Sequence, residues 1–319
     1  MAGRRDLVLG WSARLCAAIG LGGVGACLYL AVTFGSPGAL ILVYMTQLPL
    51  FVAGLWLGAA AAIIAGLTGT VVLVAASDPM AALVFAAMNA VPAMLLVRQA
   101  LLTRRRPDGS VRWYPPGLLA GWLTALALVG IGGAVVLSGG PHGMETALRG
   151  LAAQALDRLA GDRLPNRDQL VAVLGVVSPG IIAAGWMSMT VINAVLGQGI
   201  VTRLGIARRT SLDLAELGLP LWVPLALGVA AGATLLGGAP RFVGISVMIA
   251  LCVPLCLGGL AVLHAAVRRL PNPRIVLVGF YMMAAVFGWP LLIAAVFGLL
   301  ENWLGLRNRL APHGVGIDG

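Results

Sequence analysis

GAAAAIIAGLTGTVVLVAA, residues 58–76, contains no charged side chain and is long enough to cross a bilayer as one helix. A bilayer core about 30 Å thick needs roughly 20 apolar residues for each helical span. Similar stretches recur along the chain, so hydrophobic residues make up 60% of the sequence and charged residues only 10%. A soluble domain would need more polar surface than this composition supplies. The chain is therefore predicted to be a polytopic membrane protein.

Nine segments have the length and apolar character of spans. They cover residues 15–34, 38–57, 58–76, 80–102, 116–138, 169–200, 218–238, 242–267 and 275–300. The last contains Gly288-Trp289-Pro290, where proline can break a helix into two shorter ones, about 275–287 and 290–303. The alternating pattern of an outer-membrane barrel is absent. The predicted fold is an all-α, polytopic transmembrane bundle of about 8–10 spans, forming one integral membrane domain over residues 1–319.

All 21 basic residues are arginine, and their distribution predicts the orientation. With a cytoplasmic N-terminus, four groups fall on the cytoplasmic side: Arg4, Arg5 and Arg14; Arg98, Arg104, Arg105, Arg106 and Arg112; Arg203, Arg208 and Arg209; and Arg268, Arg269 and Arg274. Up to the eighth span, the opposite side carries only Arg149, Arg158, Arg163, Arg167 and Arg241. This asymmetry follows the positive-inside rule. The net charge of +10 is thus an orientation signal, and it does not indicate nucleic-acid binding.

The C-terminal end leaves two interpretations open. Nine spans would place Arg307 and Arg309 outside, against the rule. Splitting the last segment into a hairpin would return the predicted flexible tail, 310–319, to the cytoplasm, which is the interpretation we favour. Alternatively, an earlier segment does not cross.

The connection over residues 139–168 is long enough to hold structure of its own. Met144, Leu148, Leu151, Ala155 and Leu159 recur at three- and four-residue steps, with charged residues on the other faces. This pattern predicts an amphipathic helix on the extracytoplasmic surface. It would either complete a long connection or cover an outward-facing cavity.

Catalytic chemistry finds little support in the sequence. Buried ionisable residues mark catalysis and proton transfer inside a membrane, and the carboxylates here lie at or beyond the predicted span ends. No spacing of cysteines and histidines matches a metal site, and no phosphate-binding loop with its lysine is present. The protein is predicted not to be an enzyme and to need no cofactor or metal.

Neutral polar residues near the middle of spans are the candidate ligand site. Gln47 precedes Pro49, and Asn89 precedes Pro92, by two and three residues. Proline frees a backbone carbonyl, and transporters build midplane binding sites at such interrupted helices. The candidate ligand-binding residues are Tyr44, Gln47, Asn89, Ser178, Trp186 and Ser188. The alternative is that the polar members only hydrogen-bond neighbouring helices together and that Tyr44 and Trp186 are packing residues.

Three stretches resemble the YybS-like family of bacterial membrane proteins. They are Tyr44-Met-Thr-Gln-Leu-Pro-Leu-Phe51 with residues 53–58 (AGLWLG), Ala90-Val-Pro92 with residues 96–102 (LVRQALL), and Phe287-Gly-Trp-Pro290 with residues 298–303 (GLLENW) and 306–309 (LRNR). The resemblance covers both ends of the chain, whereas residues of about 110–270 match only in hydropathy.

The resemblance implies a fold and a set of partners. YybS-like proteins are similar in hydrophobic layout to the substrate-binding S components of energy-coupling-factor transporters, which implies an S-component-like core. Those components bind a small molecule from outside and dock on a membrane subunit with ATPases. The docking contact would involve Ala13 and Ala17, and the family-like C-terminal cluster is Glu301, Trp303, Arg307 and Arg309.

Two functions from different classes are consistent with these features. The first is a non-enzymatic inner-membrane component that binds a small solute of unknown identity and depends on a partner for energy. The second is a membrane scaffold or assembly factor with no transported substrate. The first predicts polar residues that converge on a cavity, and the second predicts a dense core and an exposed basic contact surface.

Overall fold

The computed structural model describes residues 10–107, 109–160, 165–211, 217–268 and 270–307. The α-helices of this part of the chain are α1 (Trp11–Leu30), α2 (Pro37–Tyr44), α3 (Leu48–Leu57), α4 (Ala59–Ala76), α5 (Pro79–Phe85), α6 (Val91–Ala100), α7 (Pro116–Leu137), α8 (Pro141–Ala160), α9 (Arg167–Arg203), α10 (Trp222–Thr234), α11 (Gly238–Val267), α12 (Pro273–Phe287) and α13 (Trp289–Leu304). A 3-10 helix (Ala31–Phe34) follows α1, and a π-helical turn (Ala86–Ala90) joins α5 to α6. An antiparallel hairpin, β1 (Thr103–Arg105) and β2 (Val111–Trp113), precedes α7.

The predicted all-α membrane fold is confirmed. Seven helical segments among the described residues are long and apolar enough to span a bilayer, and counting the bent pair α12–α13 as one span gives eight. The seven are Trp11–Phe34, Gly38–Leu57, Ala59–Ala76, Pro79–Ala100, Pro116–Leu137, Arg167–Arg203 and Gly238–Val267. Only 28% to 50% of each most apolar window is buried inside the protein, which leaves broad apolar faces for lipid.

The seventh predicted segment, 218–238, is only partly helical. Its helix, α10, has 13 residues and is therefore about 20 Å long, shorter than a bilayer core of about 30 Å. This short helix is the reason that the structure has seven or eight candidate spans, at or below the lower end of the predicted range.

Non-helical chain before α10 extends this segment along α11. The backbone of Gly218 lies against that of Gly117, at the start of α7, and the Leu219 side chain lies beside Gly258 of α11. Further along, Ala230 of α10 lies beside Gly244. The segment therefore runs antiparallel to α11. Irregular backbone at membrane depth is tolerated when protein covers it.

Three of the candidate spans are interrupted. Met45, Thr46 and Gln47 form a turn between α2 and α3, and the π-helical turn interrupts α5–α6. The last pair bends by 117° at Gly288, which has a positive φ of 71°. Proline follows each break, at Pro49, Pro92 and Pro290, and removes a helical donor there. The sequence-predicted break near Gly288 is thus present; the predicted tail, 310–319, lies outside the described residues.

The chain forms two compact units. The first comprises residues 1–114 and 188–211, and the second comprises residues 115–187 and 212–319. The boundary falls within α9, so this helix contributes its first half to the second unit and its remainder to the first.

In the first unit, α1 packs against α3 and α4 with backbones close together. Gly22 of α1 lies on the backbone of Ala65 in α4, where a side chain would collide. Ala18, Leu57 and Ala61 form a buried cluster beside this contact. Small residues allow this approach, which gives dispersion contacts in a bilayer that supplies no hydrophobic drive between helices.

The second unit is organised around α11. Val223, Leu251, Leu255 and Ala295 form its buried cluster and join α10 and α13 to α11. At the α11–α13 contact, Gly259 lies on the carbonyl of Ala294, and Gly298 lies on the carbonyl of Leu255. A Cβ at either glycine would overlap a backbone oxygen, which cannot move without shifting its helix.

We expect Gly298→Val to separate α13 from α11 and to destabilise the protein by about 1–3 kcal/mol or more, as overpacking does elsewhere. Thermal unfolding in detergent, followed by tryptophan fluorescence, measures the loss. Gly279→Val on α12 is the matched control, because no atom lies within 4 Å of its added Cβ. Equal melting temperatures for the two variants would contradict the close contact.

Candidate functional site

The break in the second span is completed by a side chain from α9. Asn193 Nδ2 donates to the carbonyl oxygens of Tyr44 at 2.7 Å and of Met189 at 2.8 Å. The Tyr44 carbonyl is one of the last in α2, where intrahelical donors run out. Asn193 is completely buried. A side-chain amide therefore takes the place of the missing backbone N–H.

Gln47 makes the corresponding bond to the fourth span. Its Nε2 donates to the Met88 carbonyl at 2.8 Å. The residue four positions after Met88 is Pro92, which has no N–H to offer that carbonyl. Gln47 is fully buried and Asn89 is 5% exposed, so both lie inside the first unit. Two interrupted spans are thus connected through one carboxamide.

Arg208 occupies the C-terminal end of α3. Its Nε donates to the Trp56 carbonyl at 3.0 Å, and its backbone N–H donates to the Leu55 carbonyl at 3.2 Å. The guanidinium lies beside Gly58, whose φ is 111°. A cation at this position also complements the negative end of the helix dipole.

Arg209, the next residue, occupies the C-terminal end of α6 in the same way. Its Nη1 donates to the Ala100 carbonyl at 2.8 Å, and its Nη2 donates to the Tyr114 carbonyl at 2.9 Å. Its own carbonyl accepts a bond from Gln198 Nε2 at 3.0 Å, and its guanidinium lies 5.9 Å from the Trp113 ring centroid. Arg209 is only 6% exposed. A buried arginine therefore joins the end of α6, the hairpin and α9.

The second unit contains an open cavity of about 500 Å³ between α8, α9 and the start of α11. Its polar wall consists of Glu145, Arg149 and Arg241, and its apolar wall includes Val173, Val177 and Ile245. Glu145 and Arg149 form an ion pair one helical turn apart on α8. The cavity thus combines two positive charges, one negative charge and an aliphatic face.

The six sequence-predicted ligand residues are divided between the units. Tyr44, Gln47, Asn89 and Ser188 belong to the first, and Ser178 and Trp186 to the second. Gln47 donates a hydrogen bond to the carbonyl of Met88, the residue before Asn89. The Tyr44 carbonyl belongs to the residue three positions before Gln47, but the Tyr44 side chain is 52% exposed. Ser178 Oγ donates to the Leu174 carbonyl on its own helix. None of the six lines the cavity.

The predicted partner-contact residues differ in accessibility. Ala13 is exposed, whereas Ala17 packs against the Ala18 cluster. Trp303 is 65% exposed. Glu301 Oε1 accepts a bond from Arg307 Nε at 2.7 Å, with both side chains less than one-fifth exposed. Arg309 lies outside the described residues.

Sequence reasoning missed the residues that build these features. In the sequence, Asn193 is not distinguishable from the other polar residues of its long helix. Arg208 and Arg209 contributed only to the prediction of membrane orientation. The Glu145–Arg149 pair has the spacing of an ion pair on one helix face, which is a usable signal. Nothing in the sequence connects that pair to Arg241, 92 positions after Arg149. Among the described residues, no group of His, Cys, Asp and Glu could hold a metal ion.

Arg209→Met should destabilise the protein by about 2–6 kcal/mol, because two carbonyls lose a charged donor at about 1–3 kcal/mol each. Thermal unfolding in detergent is again the measurement. Arg104→Met, on the exposed face of the hairpin, removes the same charge and should leave the melting temperature nearly unchanged. If both variants melt like the unaltered protein, Arg209 does not support the end of α6.

The chain matches no protein-family model, and no curated protein or solved structure is significantly similar to it. The YybS-like resemblance stays a prediction. What the protein does is therefore inferred from the residues of this chain.

Proposed function

We propose that this is a non-enzymatic membrane protein that binds a small solute in the cavity between α8, α9 and α11. It would act as a transport-related component that receives its energy from a partner. The observation that carries the proposal is the cavity itself, with its charged and apolar walls. A dense core without a cavity would have favoured the scaffold alternative.

The charges of the cavity indicate the class of solute. Arg149 is paired with Glu145, which leaves the charge of Arg241 to balance an incoming group. Arginine presents a planar fork of donors that suits carboxylate or phosphate oxygens. The valine and isoleucine side chains that also line the cavity suit an aliphatic portion. The proposed solute is a small anion with an apolar part.

Helix α8 supports binding by covering the site. It supplies Glu145 and Arg149, and the aliphatic part of Arg149 packs on Gly175 of α9. This is the cavity-covering alternative for residues 139–168.

The residues that line the cavity favour binding over catalysis. Among the described residues, this lining has no serine, threonine, cysteine or histidine that could act as a nucleophile or a proton-transfer group. Two arginines and one paired glutamate can hold and orient an anion. The proposal that the protein is not an enzyme rests on this wall composition.

Dependence on a partner is proposed from the sequence. The chain contains no lysine and no phosphate-binding loop. An energy source would then lie in another protein, such as the membrane subunit with ATPases that the S-component resemblance implies. Ala13 and Trp303, both exposed, remain available to such a partner.

The proposed orientation is a cytoplasmic N-terminus in a bacterial inner membrane. It places the arginine groups around 104, 208 and 268 on one side only if residues 217–234 cross the bilayer, although α10 is short. The antiparallel path of this segment along α11 supports such a crossing. The cavity then opens on the extracytoplasmic side.

Native mass spectrometry of protein gently extracted from its membrane should detect a bound molecule of defined mass that Arg241→Gln removes. Arg158→Gln is the control, because Arg158 is an exposed residue of α8 outside the cavity lining. We expect occupancy to fall by about tenfold or more when the anion loses its charged partner. Equal occupancy in both variants, or protein carrying only a second protein, would favour the scaffold.

Cysteine labelling tests the orientation and the seventh crossing together. In a variant without the native cysteines, Ser138→Cys and Leu236→Cys should react in intact cells with a reagent that cannot cross membranes. Ser110→Cys and Pro271→Cys should react only after permeabilisation. Protection at 236 with reaction at 271 would show that residues 217–234 do not cross.

A further inference from the structure

Three residues at or beside the turn between α2 and α3 carry buried side-chain oxygens without a hydrogen-bond partner among the described residues. Thr46, Gln47 and Asn193 are each completely buried. Within the described part of the chain, Thr46 Oγ1, Gln47 Oε1 and Asn193 Oδ1 have no hydrogen-bond partner. Buried polar atoms are nearly always paired, so three in one region need a physical cause.

The hydrogen bonds made by the two amides fix the orientation of their oxygens. Asn193 uses Nδ2 on two carbonyls, and Gln47 uses Nε2 on one. Rotating either amide by 180° would place its oxygen against a carbonyl oxygen, which is repulsive. The free atoms are therefore oxygens and cannot be exchanged for N–H groups.

Chain connectivity and one contact place these three side chains at the same turn. Thr46 and Gln47 are adjacent, and Asn193 binds the carbonyl of Tyr44, two residues before Thr46. On the α1 side, a Cβ at Gly25 would come within 3.3 Å of the Thr46 carbonyl, so this helix covers the turn closely. The region is also next to the C-terminal end of α2, whose dipole is negative.

A group that satisfies the two amide oxygens must be a hydrogen-bond donor or a cation, and the lone pairs of the Thr46 hydroxyl oxygen can also face a cation. One water molecule donates two hydrogens, whereas a cation interacts with every oxygen that faces it. Unwound backbone and helix C-termini coordinate sodium in membrane transporters. We propose that Thr46, Gln47 and Asn193 form a binding site for one Na⁺ ion at the α2–α3 break.

The scarcity of carboxylates among the described residues of the first unit favours a monovalent ion. Asp78 is the acidic residue of the first unit within the described ranges, and its carboxylate accepts from the Ala81 N–H at the start of α5. Divalent cations are usually held by carboxylates. Neutral oxygens at membrane depth would leave a double charge largely uncompensated. The proposed site shares no residue with the cavity in the second unit and does not depend on the solute proposed there.

Thermal unfolding of the full chain in detergent tests the site. The melting temperature is measured in sodium, potassium and N-methyl-D-glucamine chlorides at equal ionic strength. Binding to the folded state alone raises stability in proportion to the logarithm of ligand concentration above the dissociation constant. We expect a saturable increase with Na⁺ that N-methyl-D-glucamine does not reproduce.

Thr46→Val keeps the size of the side chain and removes one proposed ligand. It should weaken the apparent Na⁺ affinity by about tenfold or more, in line with losses at other ion sites. Thr124→Val is the control, because this buried hydroxyl donates to the Ala120 carbonyl in the second unit. It should retain the full Na⁺ effect even if its basal stability changes.

Equilibrium binding of radioactive Na⁺ gives the stoichiometry independently of stability, and one ion per chain is expected. Equal melting in all three salts would overturn the proposal and assign the oxygens to bound water. An unchanged Na⁺ response in Thr46→Val would also overturn it. Arg241→Gln should leave Na⁺ binding unaltered, so failure of the solute proposal and failure of this one are distinguishable.

Discussion

Hydrocarbon offers no hydrogen bonds, so each interruption of a helix inside a bilayer must find its donors within the protein. The first unit has two interrupted spans and supplies those donors from side chains. Asn193, Arg208 and Arg209 all come from α9 or the loop after it, and Gln47 comes from the break itself. Residues 188–211 thus join the first 114 in one compact unit because they complete helix ends that the N-terminal segment leaves open.

The second unit is held together in a different way, by close backbone contacts between helices. Gly259 and Gly298 let α11 and α13 touch at their main chains, and Gly117 and Gly218 do so where the chain before α10 is not helical. Contacts of this kind use dispersion over a large area and need no polar side chain.

Composition, hydropathy and proline positions predicted the all-helical membrane fold and the breaks, because each depends on local sequence. The Gln47 and Asn89 neighbourhood was also recognisable, since polar residues beside prolines mark freed carbonyls. The length of α10 was not predicted, although Gly218 and Pro220 stand just before it and are local signals for a later helix start. Contacts between residues far apart in sequence were not predicted. Asn193 and Tyr44, for example, are 149 positions apart, and no periodicity relates them.

Arg208 and Arg209 are neighbours on one short loop, yet they hold the ends of two different spans. This loop therefore stabilises the C-terminal ends of α3 and α6 together. A displacement that withdrew one guanidinium would withdraw the other, and the C-terminal turns of α3 and α6 would lose their donors in the same event. A protein that bound this loop would affect α3 and α6 together, and also α4 and α5, which connect them in the chain.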